Sequence, residues 1–347
     1  MIQQYSIDPL ADRRWSDFVA KHREASVFHQ TGWLKALAET YGYRPKVITF
    51  SPPGKSLSDG VVFCEVKSWV TGKRLVSLPF ADHSEPLLDG AAQIPEFEEW
   101  MQTESGNRQW KYIEVRPLSG DFRTSDVMKV SQSFWMHTLD LSPTSERIFQ
   151  ACHKSCIQRR IIHAERQGLS YERGRSDSVL DAFYRLLVIT RQRHNLLPQP
   201  FSWFRNLLRF MGPDLEIRVL RSNDVPIASV LTLRHRNTVV FKYGCSDQRF
   251  HRLGGMPLLF WRLIEESKAE GASQIDFGRT EPDNVSLVRF KDRLGARRKQ
   301  ISYLRYSLDG KEQSAVGFSS RTMMALSSTL PAVFSTRVGS LVYRHLG

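Results

Sequence analysis

The sequence is poor in cysteine and has no long apolar run. Four cysteines occur among 347 residues and none forms a Cys-x-x-Cys pair, which argues against a disulfide framework and a zinc site. A reducing cytoplasm fits this usage best. No apolar stretch reaches the roughly 18 residues of a membrane-spanning helix, and the N-terminus has no signal-peptide pattern. These absences predict a cytoplasmic protein with no metal and no transmembrane segment.

Acidic residues are also in short supply. There are 36 Asp and Glu against 49 Lys and Arg, so the net charge is +13. Residues 151–210 hold eleven Lys and Arg but four Asp and Glu, a net of +7. Such clustering indicates an anionic partner, for which nucleic acid, a nucleotide-linked sugar, coenzyme A and a membrane surface all qualify. A solvated basic helix is the alternative interpretation.

The order of helical and strand patterns repeats along the chain. Residues 1–141 read as helices, a meander of strands, a helix and further strands, and residues 142–310 follow the same outline. This order predicts an α+β (mixed α/β) fold of two domains, each a mixed sheet flanked by helices. Residues 311–347 are predicted to be a C-terminal helical tail, which packs on the body or touches lipid peripherally through Arg337 and Arg344.

A glycine-rich segment joins a predicted strand to a long helix and carries the first candidate binding residues. They are Tyr243, Arg252, Gly254 and Gly255. Glycines let a backbone approach a ligand closely, and the N–H groups and dipole of a helix N-terminus favour a phosphate. An ordinary strand–helix turn is the alternative.

A predicted helix over residues 146–167 presents cations before the second set of strands. Arg159, His163 and Arg166 share one face, and Arg160 adds charge beside it. Because a guanidinium binds phosphate in bidentate fashion, Arg159 and Arg160 are candidate substrate-binding residues. A helix face that is exposed to solvent and binds no ligand would show the same sequence pattern, and this is the alternative interpretation.

Cations also follow a short buried strand that ends at Gly278. Arg279, Arg289 and Lys291 come after it and suit an anionic substrate. Asp276, near the end of this strand, is a candidate proton acceptor for an attacking amine. An ion pair between Asp276 and Arg279 or Arg289 is the structural alternative.

The stretch from Asp276-Phe277-Gly278 to Arg289-Phe290-Lys291-x-x-x-Gly295 resembles the C-terminal signature of FemAB-type transferases, the double relatives of GNAT acyltransferases. The segments Phe28-His29-Gln30-Thr31-Gly32-Trp33 and Leu75-Val76-Ser77-Leu78-Pro79-Phe80 extend the likeness over about residues 25–307. The resemblance implies two tandem GNAT-like domains and transfer of an acyl or aminoacyl group to an amine. It also implies that Lys291 is a functional cation. A subgroup associated with exopolysaccharide or cell-envelope synthesis fits best.

The leading functional hypothesis is an N-acyltransferase that moves an acyl group from acyl-CoA to an amine of a cell-envelope or exopolysaccharide precursor. Backbone N–H groups at the end of strand 238–244, or Lys291, would stabilise the oxyanion. An aminoacyl-tRNA-dependent aminoacyltransferase and a non-catalytic glycan- or RNA-binding module are the alternatives. The expected acceptor is anionic and nucleotide- or lipid-linked, and the expected location is the cytoplasm or the inner face of the membrane.

Overall fold

The computed structural model describes residues 3–68, 72–108, 110–120, 127–307 and 342–345. They form two compact units. Among the described residues, the first unit comprises 3–133, 301–307 and 342–345, and the second comprises Phe134–Gln300. Except for 342–345, which are helical, the predicted tail lies outside the described residues.

The first unit contains a mixed sheet with three longer helices. Its helices are α1 (Arg13–Lys21), α2 (Thr31–Tyr41) and α3 (Ile94–Arg108). Its strands are β1 (Tyr5–Ile7), β2 (Arg44–Thr49), β3 (Val61–Ser68), β4 (Gly72–Val76), β5 (Tyr112–Val115) and the second half of β12 (Arg297–Tyr306). The sheet order is β1-β2-β3-β4-β5-β12, in which β4 and β5 are parallel and the other neighbours antiparallel.

The second unit repeats this topology. Its helices are α4 (Ser145–Ala151), α5 (Arg159–Glu165), α6 (Asp177–Arg193), α7 (Phe201–Met211), α8 (Gly255–Ala269) and α9 (Val285–Arg293). Its strands are β7 (Ser170–Gly174), β8 (Leu215–Ser222), β9 (Val225–His235), β10 (Thr238–Ser246), β11 (Gln274–Thr280) and most of β6 (Lys129–Asp140). The order is β7-β8-β9-β10-β11-β6, and β10 and β11 are the parallel pair.

Each sheet is completed by a strand from a distant part of the chain. In the first unit the sixth strand is β12, which follows α9 in sequence, and in the second it is β6, which precedes α4. The compact units therefore divide the chain at Ser133/Phe134 and Gln300/Ile301. The sequence domains 1–141, 142–310 and 311–347 stay predictions.

Hydrophobic periodicity accounts for most of these elements. In α7, for example, the buried side chains are Trp203, Phe204, Leu207 and Met211, which lie on one face of the helix. In the second unit, α6 packs against β8, β9 and β10, whereas α8 packs against β8 and β9 with α5 beside it. The cluster built around α8 contains Leu259, Leu263 and Ile264, none of which is exposed.

The helix predicted over residues 146–167 is wrong in one respect, since it is interrupted after Ala151. Cys152 and His153 are extended, a π-helical turn spans Lys154–Gln158, and α5 follows. The Gln158 side chain donates to the carbonyls of Phe149 and Cys152 at 2.9 and 2.8 Å. These bonds satisfy the C-terminal carbonyls of α4 that a continuous helix would have used internally.

Candidate active site

A pocket of about 700 Å³ opens in the second unit where β10 parts from its parallel neighbour. β10 pairs with β11 from Thr238 to Val240, whereas its pairing with β9 continues to Ser246. The β9 register shifts between Phe241 and Tyr243, and such bulges bend a strand. The second half of β10 thereby becomes a pocket wall.

Cationic and apolar side chains dominate the lining of this pocket, and among its described lining residues there is no Asp or Glu. The cationic or titratable members are Arg191, Arg193, His194, Lys242, His251 and Lys291. The apolar members include Leu187, Leu196, Ile227, Phe241, Phe250, Met256, Phe260, Leu287 and Phe290. This composition suits a ligand with an anionic part and an apolar part.

The C-terminal end of α6 and the end of β10 are joined by hydrogen bonds at the pocket. Thr190 Oγ1 accepts from the Ser246 amide at 2.9 Å, and Arg193 donates to the Ser246 carbonyl at 3.2 Å. The Ser246 hydroxyl lies 2.9 Å from Nε2 of His251, and Arg193 Nη1 lies 3.4 Å from the same nitrogen. Arg193 is thus held at the pocket by contacts with two neighbouring segments.

Two histidines beside Arg193 are held toward the neutral form. Burial and then the charge of Arg193 lower the pKa of His251, whereas the charge of Asp247 raises it. Burial, Arg193 and Arg191 lower the pKa of His194. Because an anion near these rings would favour protonation, both can gain positive charge when a phosphate binds.

The N-terminus of α8 forms another side of the pocket through Gly255, Met256 and Pro257. The first N–H groups of a helix have no partner within it and favour an anion. Gly254 precedes the helix with φ of +77°, and a Cβ there would lie 2.6 Å from the Arg160 carbonyl oxygen. A glycine is therefore required for α5 to approach this turn so closely.

Three predicted site residues, Tyr243, Gly255 and Lys291, line the pocket. The Tyr243 hydroxyl accepts from the Trp203 indole at 2.9 Å and donates to Gln199 Oε1 at 2.6 Å. These bonds fix the tyrosine ring in the core on the α6 and α7 side of β10.

Lys291 is 3% exposed, and its ammonium bonds to the end of β11. Nζ donates to the Gly278 carbonyl at 3.0 Å, to Thr280 Oγ1 at 2.7 Å and to the Arg279 carbonyl at 3.4 Å. The cation therefore holds the irregular end of the strand and also reaches the pocket wall.

The remaining predicted residues lie outside the pocket lining. Asp276 is buried, and its Oδ1 accepts from the Gly278 amide at 2.6 Å. Arg279 stacks 4.1 Å from the Phe134 ring centre and lies 3.6 Å from Glu281, while Arg289 is exposed. This bond between Asp276 and the Gly278 amide stabilises the turn at the end of β11, and the ion pair with Arg279 or Arg289 stays a prediction.

The basic helix and the glycine-rich turn lie side by side. Arg159 and Arg160 of α5 are exposed, and Arg160 Nη1 lies 3.4 Å from the carbonyl of Arg252. Gly254 contacts α5 directly, as described above. Arg159, Arg160 and Arg252 therefore form one exposed basic surface beside the buried Gly254 at the start of α8, rather than part of the pocket wall.

The cations at the end of α6 were not predicted as site residues from the sequence. Thr190, Arg193 and His194 occur at i, i+3 and i+4 in the last turn of a helix, and this spacing puts them on one side. Basic residues in a last turn are common because they interact favourably with the helix dipole, so the pattern alone did not distinguish a pocket from solvent.

The described part of the chain contains no group of three or more His, Cys, Asp or Glu side chains placed to hold a metal ion. Within that same part, no helix has the length and hydropathy needed to cross a membrane.

The pocket lies within a segment of the chain that matches a family of acyltransferases. Residues 153–292, which include every residue of the pocket lining, match the family model described as an acetyltransferase (GNAT) domain. The resemblance to the FemAB-like, GNAT-fold acyltransferases is thereby confirmed, as is the prediction of an acyltransferase. No curated protein matches the sequence.

Solved structures share the architecture at low sequence identity. The crystal structure of FemX has a TM-score of 0.70 at 12% identity, over 88% of this chain and 98% of that one. The C-terminal domain (DUF2156) of a putative lysylphosphatidylglycerol synthetase from Agrobacterium fabrum has a TM-score of 0.58 at 13% identity, over 90% and 96%. A tandem GNAT protein from the clavulanic acid biosynthesis pathway has a TM-score of 0.53 at 8% identity, over 88% and 98%. The predicted fold of two GNAT-like domains is confirmed by this likeness.

Proposed function

We propose that the protein transfers an acyl group from acyl-CoA to an amine of an anionic cell-envelope or exopolysaccharide precursor. The observation that carries the proposal is the pocket beside the start of α8, whose described lining has cations and no carboxylates. In this proposal the phosphates of coenzyme A bind to Arg191, Arg193, His251 and the first backbone amides of α8. The proposed site of action is the cytoplasm or the inner face of the membrane.

In this mechanism the attacking amine adds to the thioester carbonyl, whose oxygen becomes negative. Backbone N–H groups of β10 beyond its pairing with β11 donate to that oxygen, and the positive charge of Lys291, whose own N–H groups bond to the end of β11, stabilises it electrostatically. The amine then loses its proton to Asp276, the proposed acceptor, by way of a water molecule, because Asp276 lies outside the pocket lining. The carbonyl re-forms as the C–S bond breaks, and coenzyme A leaves as a thiolate that takes up a proton. Holding both substrates in the pocket supplies a large share of the rate.

The donor assignment is tested by calorimetric titration with coenzyme A. Replacing Arg193 by glutamine removes a charged donor, so we expect the dissociation constant to rise about 10-fold or more. Arg185→Gln, an exposed arginine on the same helix outside the pocket, is the matched control and should bind normally. Failure of the unaltered protein to bind coenzyme A would overturn the proposed donor.

A second candidate is an aminoacyltransferase that uses aminoacyl-tRNA. It is favoured by the exposed cations Arg159 and Arg160 beside the pocket and by the likeness to the fold of FemX. Titration with tRNA in place of coenzyme A distinguishes the two donors. Binding of a glycan precursor with neither donor would favour a non-catalytic module.

A further inference from the structure

We propose that the transferred group is an apolar acyl chain longer than acetyl, and that Phe241 limits its length. This inference rests on the proposed function, because it assigns the part of the same pocket that the phosphates do not use. The acyl chain of the donor is the ligand group that we assign to the apolar side chains of the pocket.

Phenylalanine rings form one end of the pocket. Ring centres of Phe241 and Phe260 lie 4.8 Å apart, and those of Phe260 and Phe290 lie 5.2 Å apart. All three line the pocket, as do Met256 and Leu287. An acetyl group offers one methyl to such a wall, whereas a longer chain would remove much more apolar surface from water.

Phe241 occupies its place because the residue three positions later is glycine. A Cβ on Gly244 would lie 2.7 Å from Cζ of Phe241 and 3.4 Å from Cε of Met256. The irregular register between Phe241 and Tyr243 accompanies this arrangement. The ring therefore lies over the β10 backbone and forms a boundary of the space beside the strand.

Phe241 and the cations that contact Ser246 lie at opposite ends of the part of β10 that lines the pocket. Phe241 and Ser246 are five residues apart, which is roughly 15 Å at the rise of a strand. Arg193 and His251 contact Ser246 at the far end. A ligand with phosphates at one end, an extended arm and an acyl chain at the other end fits this order.

The test is calorimetric titration with coenzyme A and with non-transferable thioether analogues of acetyl-, butyryl-, octanoyl- and dodecanoyl-CoA. We expect affinity to rise about fourfold for each methylene that becomes buried, until the chain reaches Phe241. Phe241→Ala should move this limit to longer chains. Phe201→Ala, a partly buried phenylalanine outside the pocket, should leave it unchanged.

The outcomes separate the two proposals. Absence of coenzyme A binding overturns the proposed function and this inference with it. Binding of coenzyme A with no gain from any chain overturns only the inference. An unchanged length limit in Phe241→Ala overturns the role of that ring, and Phe241→Val supplies the same comparison if the alanine variant does not fold.

Discussion

Lys291 shows how one residue can serve the strand that it caps and the pocket that it lines. Burying an ammonium is costly unless hydrogen bonds satisfy it, and the bonds of Lys291 to Gly278, Arg279 and Thr280 do so. The sequence resemblance implied that this lysine is a functional cation. It could not indicate the bonds to β11, because they depend on how α9 packs against that strand.

For Lys291→Ala we predict loss of transfer together with a lower free energy of unfolding, by about 3 kcal/mol, because buried acceptors lose their donor. Rates should be measured at a temperature at which chemical denaturation shows the variant to be folded. Lys299→Ala, at an exposed lysine, is the control. Near-normal turnover of Lys291→Ala would contradict the assigned catalytic role.

At the scale of elements, hydrophobic periodicity accounts for α7 (Phe201–Met211), whose buried side chains lie on one face. Hydrophobic periodicity did not predict β7 (Ser170–Gly174), because every residue of this strand is partly or fully exposed. It also failed at the break between α4 and α5, since Gln158 caps α4 through contacts that no local pattern reveals. Local signals thus identify elements that bury one clear face.

The exposed surface of α5 leads to a prediction about phosphorylated ligands. Arg159→Ala/Arg160→Ala should weaken coenzyme A binding about three- to tenfold, because exposed charges near a ligand contribute modestly. Lys35→Ala/Lys55→Ala makes the same change of charge at exposed positions of the first unit and should have no comparable effect. An equal dissociation constant for the α5 variant and the unaltered protein in calorimetry would show that α5 is only solvated.

At the scale of the whole molecule, the repeated order of elements could be predicted from the sequence. The sixth strand of each sheet, which comes from a distant part of the chain, could not. Both halves have the same order of elements along the sequence, and this order follows from period and turn signals. The pairing of β12 with β5 and of β6 with β11 joins segments more than a hundred residues apart. Pairing partners are chosen by tertiary contacts, which a single sequence does not display.

The net charge of +13 bears on the choice between donors. A positively charged molecule attracts any polyanion, so binding of tRNA at low salt does not by itself identify a donor. Each phosphate contact releases counterions, and a tRNA held by six or more contacts would lose about 10³-fold in affinity between 50 and 200 mM salt. Coenzyme A carries few phosphates, so its affinity should fall much less over that range.

We therefore predict that coenzyme A binding persists at 200 mM salt while tRNA binding is lost, as measured by titration of both ligands across the range. Retention of tight tRNA binding at 200 mM, with coenzyme A released, would reverse the assignment of the donor.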